Sequence, residues 1–230
     1  MKNFILAIIA AINTLATGIY LCFLPSKEVA MHIGMDGKVD RYGSKWELLM
    51  MSGIVLVITL VYGTVQAVSA KSGKENKNKK YSKRIAFAGT IYAIVLVWMI
   101  TIMTTTDNLE NNQYLFMAII NIIIGCLFVF AGNLAPKFSR NKWFGIRTKA
   151  TLNSKNVWNK TNRLMGNISV IVGLISIAMG IIGLAVDSVD IVMFILSLVL
   201  YVVAVAIIPY VYASLLYKKE KEKENASNQR

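Results

Sequence analysis

The sequence predicts an all-α integral membrane protein with six transmembrane helices and both termini in the cytoplasm. Of its 230 residues, 56% are hydrophobic and only 16% are charged, whereas a soluble domain carries about a quarter charged residues. The apolar residues form six blocks, each long enough to cross a hydrocarbon core of roughly 30 Å. The basic residues are concentrated in alternate connections between these blocks.

The six blocks follow one another along the chain with clear limits. The predicted spans are Phe4–Leu24, Trp46–Ala70, Ile85–Thr105, Tyr114–Leu134, Leu164–Val186 and Ile191–Tyr217. Glu47, near the beginning of the second span, is the only acidic or basic residue within these limits. A charge at the centre of a transmembrane helix costs on the order of 3 kcal/mol, so this absence favours insertion. We expect the first block to be a retained helix, because no cleavage site precedes Pro25.

The distribution of charge predicts the orientation. Lys2, residues 71–84, residues 132–163 and the tail from Lys218 together hold 21 of the 25 basic residues. Short basic loops stay in the cytoplasm, so we expect both termini and these two loops to be inside. Contact with anionic lipid head groups follows from the same distribution. Direct binding of nucleic acid is disfavoured, because the basic residues are split among loops with no soluble domain to organise them.

The predicted organisation has four parts: a helical hairpin at 1–70, a basic cytoplasmic linker at 71–84, a four-helix region at 85–217, and a tail at 218–230. Linker and tail are hydrophilic and of low complexity, so we expect them to be flexible. Beyond the mouth of the second span, the membrane helices contain no ionisable Asp, Glu, Lys, Arg or His side chain. A proton-driven carrier is therefore disfavoured. The glycines are scattered and do not indicate a pore.

Loop 25–45 connects the first two spans and is predicted to lie outside the cell. Val29, Met31 and Ile33 alternate as the side chains of a short strand do. Ser44 and Glu47 have the spacing of a capping box at the start of the second helix.

The same loop contains the only histidine of the chain, His32. Asp36 and Asp40 are near it in sequence, and Asp36 begins a tight-turn signal with the glycine that follows. One histidine and two carboxylates would form at most a weak metal site. A structural hydrogen bond is the favoured role for His32, and contact with a peptide or ligand is the alternative.

Loop 132–163 connects the fourth and fifth spans and is predicted to be cytoplasmic. Pro136 ends the fourth helix. After Ser154, which suits an N-cap, the residues Val157, Trp158 and Thr161 recur at helical spacing. This pattern predicts an interfacial amphipathic helix that leads into the fifth span.

Both loops resemble the Sdp immunity protein family of bacteria. Loop 25–45 resembles the family's LP…H…G…D…GSK pattern through Leu24, Pro25, His32, Asp36 or Gly37, Asp40, Gly43, Ser44 and Lys45. Loop 132–163 resembles its GN…P…N..FGIRT…TL.S..VW..T.R..G pattern through Gly132, Asn133, Pro136, Asn141, Phe144, Gly145, Ile146, Arg147, Thr148, Thr151, Leu152, Ser154, Val157, Trp158, Thr161, Arg163 and Gly166. The second match is the more specific one.

The chain departs from these patterns at several positions. Val29-Ala30 stands where the family usually has Ile-Pro, and Ile33 stands where it often has Phe. In the second loop, Lys149-Ala150 replaces a Pro-Trp pair and Thr161-Asn162 replaces a Thr-His pair. The missing second histidine weakens any metal or acid–base role for this loop.

The resemblance implies a multi-pass immunity protein of the bacterial cell membrane, which protects the producing cell from a secreted, membrane-active peptide toxin. Some family members are thought to signal toxin binding to a cytoplasmic transcriptional repressor. We expect toxin contacts at His32, Asp36, Asp40 and Lys45. We expect partner-binding or structural roles for Asn133, Pro136, Phe144, Gly145, Arg147, Thr148, Trp158 and Arg163. No catalytic residue, cofactor or metal is expected.

Two other functions stay open on the residues alone. A membrane enzyme acting at the cytoplasmic surface would use Arg147, with Arg140 and Lys142, to bind a phosphate or carboxylate. That loop has no evident nucleophile or general base. A small peptide or lipid transporter is the second alternative, and the chain shows no energy source for it.

Overall fold

The computed structural model describes residues 3–25, 28–33, 39–71, 78–105, 109–141, 144–186 and 190–228. Within these residues, six helices are long and apolar enough to cross a membrane: Ile5–Phe23, Glu47–Ala70, Lys79–Thr105, Leu115–Lys137, Lys155–Ala185 and Val192–Ser227. The prediction of six spans is confirmed. The orientation inferred from the basic loops stays a prediction.

The secondary structure consists of eight α-helices and one two-stranded sheet within the described residues. In chain order these are α1 (Ile5–Phe23), β1 (Glu28–Ile33), β2 (Val39–Ser44), α2 (Glu47–Lys71), α3 (Lys79–Thr105), α4 (Leu109–Leu134), a 3₁₀ turn (Ala135–Lys137), α5 (Lys149–Asn153), α6 (Lys155–Ala185), α7 (Asp190–Leu200), a π-helical segment (Tyr201–Ile207) and α8 (Ile208–Asn228). α1 ends just before Pro25 and α4 just before the turn that contains Pro136, as predicted.

The sixth span is one continuous helical rod made of α7, the π-helical segment and α8. Pro209 lies in the first turn of α8 and has no amide hydrogen, so it cannot complete an α-helical hydrogen bond. The amide of Ile208 instead donates to the carbonyl of Val203, five residues earlier. The proline therefore accounts for the wide turns that precede it.

The chain forms two compact units, of which the first comprises Met1–Asn76 and Lys83–Phe116. In this unit α1 and α2 are antiparallel neighbours. Leu21, near the end of α1, shares a buried cluster with Leu48, near the start of α2. Ala10, about three turns before Leu21, and Val55, about two turns after Leu48, share a second cluster.

α3 runs parallel to α1 in the same unit, and two polar contacts join them. The indole nitrogen of Trp98 donates to the side-chain oxygen of Asn13 at 2.9 Å. Seven residues further along both helices, the hydroxyl groups of Tyr20 and Thr105 are 2.8 Å apart. Parallel packing of the first and third spans agrees with alternate crossing of a membrane.

The second unit comprises Lys77–Ser82 and Met117–Arg230. In it α4 and α6 are antiparallel and pack through small residues that recur every seven positions. A Cβ on Gly173 would lie 2.7 Å from the carbonyl oxygen of Gly125, which leaves no room for a side chain. The opposed pairs are Ala118 with Gly180, Gly125 with Gly173, and Gly132 with Gly166. The expectation of scattered glycines is therefore wrong for these helices, since small residues allow close helix contact.

The all-α prediction is wrong for loop 25–45, which contains an antiparallel β-hairpin. The alternation that starts at Val29 does form the predicted strand, and β2 pairs with it. A strand of six residues exposes its backbone donors and acceptors, so it needs a partner strand close by in sequence.

The charged segments are more helical than the sequence analysis predicts. Residues 79–84 of the expected linker form the first turns of α3, and residues 218–228 of the expected flexible tail continue α8. Residues 79–84 precede an apolar helical segment, and residues 218–228 follow one. Both are rich in lysine, which has a high helix propensity. In the tail, alternating lysine and glutamate place opposite charges three residues apart, as in Lys219 with Glu222 and Glu220 with Lys223.

Candidate functional site

The hairpin of β1 and β2 is anchored to the ends of α1 and α2. Val29 of β1 is buried with Leu21 and Leu48. The ammonium group of Lys45 donates to the carbonyl oxygen of Leu24 at 2.6 Å. That carbonyl is at the C-terminal end of α1, where a cation is favourable. Lys45, expected to contact a toxin, therefore fixes the base of the hairpin in this structure.

His32 and Asp40 are brought together across the hairpin. The strand register shifts on both sides of His32, which pairs with Arg41. Such irregularities re-aim side chains, and here the His32 Nδ1 and Asp40 Oδ1 atoms are 2.6 Å apart. The two side chains are 63% and 54% exposed. Asp36, the third residue of this predicted cluster, lies outside the described residues.

A second charged pair lies at the base of the hairpin. The Arg41 guanidinium is 3.7 Å from the carboxylate of Glu47. The capping box predicted here forms in part, since the amide of Ser44 donates to Glu47 at 3.1 Å. The hydroxyl of Ser44 accepts from the amide of Trp46 instead of that of Glu47. The exposed surface of the hairpin thus carries both signs of charge.

In loop 132–163, Trp158 is the centre of a buried framework. Its side chain is fully buried, and its indole nitrogen donates to the carbonyl oxygen of Phe138 at 2.8 Å. The ring of Phe138 packs against Phe144, with centroids 5.1 Å apart, and against Tyr81, at 5.7 Å. Trp158 and Phe144, both predicted site residues, therefore hold the loop in shape.

Gly145 and Asn162 define the next layer of the loop. Gly145 has a φ of +95°, which side-chain-bearing residues rarely adopt. A Cβ there would collide with the side-chain oxygen of Asn162. That oxygen accepts from the amide of Ile146 at 2.9 Å, and the nitrogen of the same side chain donates to the carbonyl of Trp158 at 2.9 Å.

Thr148 begins the short helix α5, which the sequence analysis does not predict. Its hydroxyl accepts from the amide of Thr151 at 3.1 Å, and the amide of Thr148 donates to the hydroxyl of Thr151 at 2.9 Å. The Thr151 hydroxyl also donates to the carbonyl of Ile146 at 2.8 Å. Two threonines thus replace the usual serine and glutamate of a capping box.

The remaining predicted residues of the loop lie at its surface. Arg147, Arg163 and Asn133 are exposed, and the side chain of Asn133 accepts from Lys137 at 2.9 Å. Pro136 packs its ring where Gly166 leaves space for it. The residues carried over from the family pattern therefore divide into a buried framework and an exposed basic surface. Lys142, invoked for the enzyme alternative, lies outside the described residues.

The predicted interfacial helix is, in the structure, the beginning of α6. Its N-cap is Ser154, whose hydroxyl accepts from the amide of Val157 at 3.2 Å, as predicted. The apolar face, however, is buried within the protein: Val157 packs with Ala150 and Ala213, and Thr161 is also inaccessible. The interfacial interpretation is therefore wrong for this face, because α5 and α8 cover it.

Three asparagines have structural roles that the sequence does not indicate. Asn78 pairs with the backbone of Ser139, donating to its carbonyl at 3.0 Å and accepting from its amide at 2.8 Å. Asn141 accepts from the amide of Phe144 at 2.8 Å. Asn162 is the third. Asn78 is 61 residues from its partner, so no local pattern indicates this contact.

The charged end of α8 contacts the start of α6. Asn156 donates a hydrogen bond to the carboxylate of Glu220. Hydrogen bonds from Asn156 and, to a smaller extent, from Ser154 lower the pKa of Glu220 below its ordinary value. This contact holds the C-terminal part of loop 132–163 against α8, whereas Phe138 lies in the N-terminal part of the loop.

Two family models match the two segments described above. Residues 8–56, which include the hairpin, match a domain of unknown function, DUF1648. Residues 137–213, which include Arg147, Trp158 and Arg163, match the SdpI/YfhL protein family. Comparisons with curated proteins and with solved structures gave no match. Residues 137–213 are thus similar to the SdpI/YfhL protein family, and the two matches together are consistent with an SdpI-family protein.

Proposed function

We propose that this chain protects a bacterial cell from a secreted, membrane-active peptide toxin. The observation that carries this proposal is the family match over residues 137–213 in a chain with six membrane-spanning helices. Membership of the SdpI family suggests an immunity-type membrane protein. The family is not known as enzymatic, which favours a binding protein over the membrane enzyme considered above. The bacterial cytoplasmic membrane is the proposed location.

The hairpin is the proposed contact surface for the toxin. A membrane-active peptide combines apolar and charged side chains, and the hairpin region exposes both. Tyr42 is 61% exposed and Trp46 is 47% exposed, and Tyr42 is on the same strand as Asp40. Aromatic side chains with a polar group are enriched in binding surfaces. The anchoring of the hairpin by Lys45 and Val29 would limit the loss of entropy on binding.

The exposed basic surface of loop 132–163 is the proposed contact for a cytoplasmic partner, such as a transcriptional repressor. Its buried framework fixes the backbone on both sides of Arg147, through the side chains of Asn162 and Thr151. An arginine in a fixed position is suited to a carboxylate on a protein partner. Transmission of a signal would require that toxin binding change the equilibrium between two states of the helices.

The experiment is a survival assay in a toxin-sensitive bacterium that expresses the full chain. Wild type is compared with His32→Ala, Asp40→Ala and Arg147→Ala at matched membrane levels. The control variants are Lys219→Ala and Glu222→Ala, each of which removes one exposed charge from the end of α8, outside both proposed surfaces. We expect wild type and both controls to protect, and at least a tenfold lower tolerated toxin concentration for the two hairpin variants.

The pattern of loss distinguishes the two proposed surfaces. Loss of protection in His32→Ala and Asp40→Ala supports toxin contact at the hairpin. Loss in Arg147→Ala alone would move the essential contact to the second loop and its partner. Inserted wild-type protein that protects against no secreted peptide toxin would contradict the proposed function.

A further inference from the structure

A cavity of about 270 Å³ lies in the first unit, where the beginning of α1 and the beginning of α3 meet the end of α2. Its walls are mostly apolar. The lining residues are Asn3, Ile5, Leu6, Tyr62, Gln66, Lys83 and Phe87. Neither the family pattern nor the proposed toxin and partner surfaces include this cavity.

Two side chains give the cavity a polar end. Gln66 is 9% exposed and lines the cavity, so its side-chain amide is placed to hydrogen-bond a molecule bound there. Lys83 supplies a positive charge, and no carboxylate of the described residues lies within ion-pair distance of it.

The cavity residues lie near the ends of apolar helices, where lipid head groups are expected. Gln66 is five residues, or roughly 8 Å of helix, before the charged end of α2 at Lys71. Lys83 is two residues before the apolar part of α3, which begins at Ile85, and Asn3 immediately precedes that of α1. This placement holds for either orientation of the protein in the membrane.

We propose that the cavity binds the anionic head group of a membrane phospholipid, with its phosphate at Lys83 and Gln66. An ammonium group and an amide donor together suit a phosphate oxygen. The acyl chains would lie along the exposed apolar side chains at the rim. Ile5 is 58% exposed and Phe87 is 54% exposed there. These apolar walls favour a lipid over a free phosphate ion, which would leave them in contact with water. The proposal does not depend on toxin immunity.

The test is native mass spectrometry of the purified full chain. The amount of phosphatidylglycerol that stays bound is measured as phosphatidylcholine is added in increasing amounts. The variants are Lys83→Gln and Gln66→Met, which preserve side-chain volume closely. The matched control is Arg84→Gln, which removes one positive charge from the adjacent position outside the cavity. We expect about tenfold weaker binding of phosphatidylglycerol in each cavity variant. A change of this size corresponds to the loss of one charge-assisted hydrogen bond. Arg84→Gln is expected to bind like wild type.

Several outcomes would overturn the proposal. Equal affinity of wild type for the two lipids would show that the walls bind acyl chains without selecting a head group. Equal losses in Lys83→Gln and Arg84→Gln would reduce the effect to general surface charge. Displacement of the lipid by millimolar inorganic phosphate would indicate a site for a free anion. Because Lys83 is exposed, Lys83→Gln should leave the fold intact. It therefore tests the site even if Gln66→Met lowers the stability of the protein.

Discussion

The indole nitrogen of Trp158 lies 2.8 Å from the carbonyl oxygen of Phe138, and both side chains are buried. This bond joins the first turns of α6 to the segment that follows α4. It therefore fixes the two ends of loop 132–163, between which the exposed Arg147 is held. The stability of the loop should depend on this one donor.

Trp158→Phe should destabilise the protein by about 1–3 kcal/mol. The substitution keeps an aromatic ring but leaves the carbonyl of Phe138 buried without a donor. For a chain of this length, thermal unfolding in detergent should then begin several degrees lower. Trp46→Phe is the control, because Trp46 is 47% exposed and should tolerate the change. Equal midpoints for both variants would show that the buried bond contributes little.

Gly145→Ala should disrupt loop 132–163 while leaving the spans inserted. A Cβ at a φ of +95° is strained and collides with Asn162, so we expect a cost of more than about 1 kcal/mol. Faster hydrogen exchange at the amide of Ile146 would report the loss of its bond to Asn162. Gly89→Ala is the matched control, since a Cβ there meets no atom within 4 Å. An unchanged exchange rate in Gly145→Ala would contradict this account.

Gly173→Ala should separate α4 from α6. The added Cβ would lie 2.7 Å from the backbone oxygen of Gly125, and backbone cannot move as a flexible side chain can. Overpacking of this kind costs about 1–3 kcal/mol. The thermal midpoint in detergent measures it, with Gly53→Ala as the control because no atom lies within 4 Å of a Cβ there. If Gly173→Ala were as stable as Gly53→Ala, α4 and α6 could move apart without a loss of stability, which would contradict this account.

The contact between Glu220 and the start of α6 should weaken in acid. The pKa of Glu220 is lowered in the folded protein, chiefly by the hydrogen bond from Asn156. Its contribution is therefore complete above the unfolded pKa and is lost as the pH falls through the lowered folded value. The side chain is only partly buried, so the effect should stay below about 1 kcal/mol.

Glu220→Gln tests this pH dependence. Wild type should be slightly more stable than the variant at pH 7, and the difference in thermal midpoint should disappear once the pH has fallen below the lowered pKa of Glu220. Glu224→Gln, four residues further along the same helix, serves as the control for general charge effects. A difference that is independent of pH would show that the carboxylate charge plays no part.

The residues of the candidate site were predicted with unequal success. His32 and Asp40 were proposed together from their position in one loop, and the hairpin does bring them within 2.6 Å. Lys45 and Trp158 are also predicted site residues. In the structure, however, Lys45 anchors the hairpin to α1 and Trp158 is buried within loop 132–163. Asn78 was missed, because its partner Ser139 is 61 residues away and only the folded backbone brings them together.

The sequence by itself determined the six spans, their limits to within a few residues at most ends, the helix ends at Pro25 and Pro136, and the resemblance to the SdpI family. These features depend on the length of apolar segments and on the local restriction of a proline ring, and both act within a few residues. The tertiary structure decided which glycines face each other, which face of α6 is buried, and where a cavity lined by Gln66 and Lys83 remains. Those features depend on contacts between helices, whose direction and depth are set by packing of the whole unit.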